Sequence, residues 1–97
     1  MSCIARKPNE FQKELMSVAV CFAVQNRFEV SVFGEGEREL YLLCSIKGVK
    51  VYIYEDAFDF QSSGIDVRYE KGDLISVPDV ASLFLETLET SIEQAMR

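Results

Sequence analysis

The sequence contains no histidine. Without imidazole no Ser-His-Asp or Cys-His pair can be assembled, and metal sites of the Cys/His type are excluded with them. Cysteine is scarce: Cys3, Cys21 and Cys44 form an odd, widely spaced set with no CxxC pair. A disulfide framework is therefore not indicated, and reduced thiols are expected. Basic residues are outnumbered, with 10 Lys and Arg against 16 Asp and Glu and a net charge of −6. They are also scattered, Arg6-Lys7 being the only adjacent pair. Phosphate backbones are held by clustered Lys and Arg, so nucleic acid is not an expected partner. No long apolar run is present. The stretch 18–24 is too short to span a bilayer, and no targeting segment is visible, so no membrane partner is expected and the expected location is cytoplasmic. No GxxxxGK[ST] loop occurs, and Gly34-Glu35-Gly36 carries acid between two strands where a phosphate cradle needs bare amides at a helix start.

What is present suffices for one folded domain. Hydrophobic residues make up 48% of 97, with seven Phe and four Tyr, a composition that disordered chains lack. We read residues 1–97 as a single α+β domain with 1–7 as a flexible tail. A domain of this size buries roughly 60–65% of its unfolded surface, so assembly into oligomers is one usual supplement to its stability.

The pattern predicts helix, four antiparallel strands, helix (α-β-β-β-β-α) in two layers. Asn9 with Gln12 makes a capping box, and Phe11, Leu15, Val18, Phe22 and Gln25 recur at helical spacing, with Met16, Ala19, Val20 and Ala23 widening the stripe, giving a first helix to Gln25 with Asn26 as a left-handed stop. Strands are expected at 27–33, 39–46, 49–55 and 65–70, from alternation of apolar and polar positions. Residues 56–64 read as a loop. Ser76 is expected to cap the last helix with Asp79 as reciprocal acid, and Val80, Phe84, Leu88, Ile92 and Ala95 as its buried stripe. Lys47-Gly48 fits a two-residue hairpin turn, which pairs Ile46 with Val49, Cys44 with Val51, Leu43 with Tyr52 and Tyr41 with Tyr54.

That register has a consequence. Phe28, Val30, Val32, Leu40, Leu42, Cys44, Ile46, Val49, Val51, Ile53, Ile65, Val67 and Tyr69 form the face that the helices cover. Phe33, Tyr41, Leu43, Tyr52 and Tyr54 are left on the other, where an antiparallel sheet is ordinarily polar. We take these five as a candidate interface, for a second copy of the chain or for another protein. Two arrangements would cover the patch from within: one helix on each face, or the 56–64 loop with Phe58 and Phe60 folded back over it. The alternative function is a small-molecule-binding protein or enzyme with its pocket between sheet and helices, using Tyr52, Tyr54, Asp66 or Arg68 as polar groups. No catalytic residue, metal ligand or cofactor is assigned, and the inventory points away from an enzyme. Glu55, Asp56 and Asp59 lack the spacing of a calcium loop and read as a solvated cluster. Cys21 and Cys44 are expected in the core and Cys3 exposed in the tail. In size and style the chain resembles small secretion chaperones, immunity proteins and the orphan products of mobile gene cassettes, a likeness that implies no function.

Overall fold

The computed structural model describes residues 8–35 and 41–96, with the side chains of 33–35 set aside. The expected tail 1–7, Cys3, Leu40 and the start of the second predicted strand lie outside the described residues. The order is α1 (Glu10–Gln25), β1 (Val30–Glu35), β2 (Tyr41–Ile46), β3 (Val49–Tyr54), β4 (Ala57–Ser62), β5 (Ile65–Glu70), a single 3-10 turn (Lys71–Leu74) and α2 (Val80–Ala95). The fold is α+β, as the sequence suggests, but the antiparallel sheet has five strands instead of four, in the order β1-β2-β3-β4-β5.

The additional strand is β4, where the sequence reading places a loop. Its two aromatic rings do not fold over the outer face. Phe58 pairs across from Ile53 and Phe60 across from Val51, both on the helix side and both fully buried. Phe58 meets Phe60, Tyr69 and Phe84 with ring centroids 5.6, 5.3 and 5.1 Å apart. Glu55-Asp56 and Ser63-Gly64 turn the chain on either side of β4, Gly64 taking φ 80°. The hairpin expected at Lys47-Gly48 is present in the expected register, Ile46 opposite Val49 and Leu43 opposite Tyr52. Both turn residues have positive φ, 52° and 83°, the geometry whose twist matches that of paired strands.

Both helices pack on one face. α1 lies against β2 and β3, α2 against β3 and β4, and the helices touch each other. The capping box of α1 forms, with Gln12 N donating to Asn9 Oδ1 and Asn9 N donating to Gln12 Oε1, each at 2.9 Å. Its buried residues are Gln12, Leu15, Ala19 and Ala23: Leu15, Ala19 and Ala23 belong to the widened stripe expected, with Gln12 buried beside them. The small Ala19 and Ala23 let the helix approach the sheet, and Phe11, Val18 and Phe22 pack half-buried along its flanks. Gln12 is tolerated inside because its Nε2 donates to Ile53 O at 3.3 Å. Gln25 is exposed. The left-handed residue after the helix is Arg27, φ 59°, and not Asn26. Asn26 instead closes the helix through its side chain, Nδ2 donating to Phe22 O at 2.8 Å.

α2 is capped by Asp79 and not by Ser76. Asp79 Oδ1 accepts from Ser82 N at 3.1 Å and Oδ2 from the Ser82 hydroxyl at 2.8 Å. Pro78 explains the shift, since it disfavours helical geometry in the residue before it and the helix must begin beyond it. Phe84, Leu88, Ser91 and Ile92 are its buried residues, and Ala95 is exposed. Two further expectations fail at the periphery. Val32 is on the helix side of β1 but 55% exposed, because the helices pack mainly over β2, β3 and β4. Cys21 is exposed, since it lies about 200° around α1 from the inward Ala19. Among the described residues no helix is long and apolar enough to cross a membrane.

Candidate interface on the open sheet face

The side of the sheet turned away from the helices is built in three cross-strand rows. One runs Leu43, Tyr52, Asp59, Arg68, with Phe33 opposite Leu43 on the backbone ladder. A second runs Ser45, Lys50, Gln61, Asp66, and a third Tyr41, Tyr54, with Ala57 and Glu70 beyond. All five residues expected to form the candidate interface therefore hold positions on this one face. Neither internal covering arrangement occurs among the described residues: both helices are on the far side, and Phe58 and Phe60 point toward them.

The three tyrosines form a single cluster. Tyr41 lies 5.6 Å from Tyr52 and 5.5 Å from Tyr54, centroid to centroid, and Tyr52 and Tyr54 stack 6.2 Å apart at 11°. Such offset and tilted contacts suit the ring quadrupoles. Together with Leu43 the tyrosines are half-buried, sheltered by one another and open outward.

The cluster is extended by Arg68. Its guanidinium carbon lies 4.7 Å from the Tyr54 ring centre, although β5 and β3 are two strands apart, about 9.5 Å. The side chain must therefore lie across β4. Ala57, which offers no bulk, is fully buried beneath this crossing, and Asp59 is only 5% exposed. Arg68 Nε donates to Glu70 Oε1 at 2.7 Å. Burial pushes the Asp59 carboxyl above its ordinary value; the Gln61 amide bonded to it and the Arg68 charge oppose the rise, while Asp66 reinforces it.

Tyr52, Tyr54, Asp66 and Arg68, expected as polar groups of a pocket between sheet and helices, all belong to this open face instead. The core fills the space between the helices and the middle strands; at the sheet edge an open hollow of about 310 Å³ remains between β5 and α2, lined by Ile65, Val67, Tyr69, Leu83 and Thr87. Glu55, Asp56 and Asp59 do not converge: the first two are exposed in the β3–β4 turn and the third is inside the face. Among the described residues no group of three acidic or thiol side chains could hold a metal ion. A shallow groove of about 470 Å³ lies between the helices along Val18, Cys21, Phe22 and Leu85, with no buried polar group aimed into it.

The sequence reading turns Arg68 outward on its strand, with Asp66 and Glu70, but has no place on this face for Asp59. Once 56–64 is taken as a loop, Asp59 has no face to belong to. The signal was there: Ser63-Gly64 separates two alternating runs by two residues, which is a hairpin pattern. No protein-family model matches the chain, and neither a curated protein nor a solved structure shows a significant match to it.

Proposed function

We propose that the protein is a protein–protein interaction module, and that the occupant of its open sheet face is a second copy of the same chain. The observation that carries this reading is the sidedness of the fold. Both helices serve one face, while three clustered tyrosines and a leucine stand on the other with no described element above them. Tyrosine suits such a surface, since it offers a broad ring to bury and a hydroxyl that stays hydrated at the rim.

Two arguments favour a second copy. The face carries both signs of charge, with Lys50 and Arg68 beside Asp59, Asp66 and Glu70, so it can complement itself under a twofold axis. Its size also fits. Five strands of six residues give a sheet of roughly 24 by 20 Å in plan. Covering it would remove roughly 600–800 Å² per copy from water, the scale of a standard interface.

The test is the oligomeric state of the wild type and of Leu43→Glu. Leu43 is outside the buried core, so its replacement by a charge should leave far-ultraviolet circular dichroism unchanged while converting a dimer to a monomer in sedimentation equilibrium. A wild type that stays monomeric at high concentration would sink the proposal.

A further inference from the structure

Among the described residues, two besides glycine take a left-handed backbone conformation, and both are cations. Arg27, after α1, has φ 59°, and Lys47, first in the β2–β3 turn, has φ 52°. Glycine or asparagine suits either place, one being a helix stop and the other a hairpin turn. A long side chain there costs stability, and strain of this kind gathers at functional sites. The fold brings the two residues together. Arg27 and Lys47 line one hollow of about 400 Å³ at the β2–β3 turn end of the sheet, with Phe28, Glu29, Ser31 and Ser45.

The walls of this hollow are held in place. Arg27 N donates to Val24 O at 3.1 Å and Phe28 N to Ala23 O at 2.8 Å, which fixes the segment against the end of α1. The Phe28 ring meets Phe22 edge-on, centroids 6.0 Å apart, and the Lys47 ammonium rests 5.0 Å from the Phe28 ring centre. Ser31 and Ser45 are cross-strand partners, and Lys50 stands opposite Ser45 on β3. No ion pair holds Arg27, Lys47 or Lys50 among the described residues, whereas Lys13 and Arg68 are paired. Cations and hydroxyls are therefore gathered at one end of a chain whose net charge is −6. Together they offer an oxyanion a planar fork, point charges and neutral donors.

We propose that this hollow binds a phosphoryl group, free or on a small carrier, with Arg27 and Lys47 as its charged contacts and the Ser31 and Ser45 hydroxyls as further donors. A tetrahedral oxyanion matches donors that arrive from two strands and from the segment ahead of them; a planar carboxylate is matched by a single fork. Glu29 is the one lining group that opposes an anion, and as an acceptor it suits a hydroxyl on the carrier. The volume is that of a small-ligand site. This site is independent of what covers the tyrosine cluster.

Nuclear magnetic resonance of the full chain tests it, with inorganic phosphate and glycerol phosphate titrated against sodium chloride of equal ionic strength. Amides of residues 27–31 and 45–48 are expected to shift along a saturating curve with both phosphates and not with chloride. Arg27→Asn and Lys47→Asn are each expected to raise the Kd about tenfold. Asparagine tolerates the left-handed conformation, so each variant should also show a raised urea midpoint. Weakened binding in a more stable protein then reports the site and not the fold. Lys71→Gln, beside the β3–β4 turn at the other end of the sheet, should leave binding unchanged. Tighter binding of glycerol phosphate assigns the site to a phosphoryl group on a carrier, and tighter binding of inorganic phosphate to the free ion. A response that does not saturate, that chloride reproduces, or that survives both asparagine substitutions would overturn the proposal. A fall in the urea midpoint of both variants would overturn it too, since the cations would then serve the fold.

Discussion

At the scale of single residues, the two cysteines described in the structure part company. Cys44 is fully buried on β2, and burial pushes its thiol up to about 12. Cys21 is exposed on α1. The thiolate is the reactive form, so a thiol reagent should modify Cys21 within the mixing time of a native protein and reach Cys44 only as fast as the chain unfolds. Mass spectrometry of the labelled peptides checks this, and Cys21→Ser should remove one fast site. Fast native labelling of Cys44 would show that β2 is not where the core is. Asp59 gives a second prediction. Its folded-state carboxyl lies above the ordinary aspartate value of about 3.9. The folded chain therefore holds a proton that the unfolded chain has released, and stability is lost as pH rises from about 4 through the folded-state value. In the monomeric Leu43→Glu background, adding Asp59→Asn should flatten that decline. Urea midpoints measured across the range would check it, and parallel pH profiles with and without the Asp59 change would refute it.

At the scale of elements, legibility followed local chemistry. The β2–β3 hairpin was readable to the residue because turn type and alternation converge on one register. The start of α1 was readable because Asn9 and Gln12 satisfy each other's backbone groups within one turn. What was hidden depends on contacts far along the chain. Whether Ala19 or Val18 faces inward is decided by how closely α1 can approach the sheet, and Gln12 enters the core only because Ile53 O is there to accept its amide proton. β4 was obscured although it alternates, Phe58, Asp59, Phe60, Gln61: the run is short and bounded by Glu55-Asp56 and Ser62-Ser63-Gly64, turn-type residues that make the whole of 56–64 read as one loop. If β4 is the central support we describe, Phe58→Ala, which removes ring contacts with β4, β5 and α2, should destabilise the fold by about 3–5 kcal/mol. Denaturant unfolding monitored by circular dichroism measures it, and a loss below about 1 kcal/mol would contradict full burial.

At the scale of the whole molecule, a sheet with both helices on one side presents two different surfaces to its surroundings. The helix side is sealed over its middle strands, and on the other side the described residues form a layer of clustered rings crossed by one arginine. That Tyr41, Leu43, Tyr52 and Tyr54 share one face followed from the register of one hairpin; that Asp59 joins them did not, because it does so only through β4. If the open face is occupied by a second copy, the thermal midpoint must rise with protein concentration, since association stabilises the native chain by mass action. A midpoint that is independent of concentration would count against the dimer as directly as a monomer in the centrifuge.

The meander also dictates an order of events. Strands begin at residues 41, 49, 57 and 65, each joined to the next by a two-residue turn, so every ladder closes between chain neighbours and none waits for a distant segment. Local closure of this kind carries a small entropic cost and favours rapid folding. The rings of Phe58 and Phe60 are different. Their cover comes from Phe84 of the last helix, which leaves the ribosome after the whole sheet. During synthesis the sheet can therefore assemble while its apolar side is still half uncovered, and the interval before the final sixteen-residue helix docks is when this chain is most exposed to adhering to its neighbours.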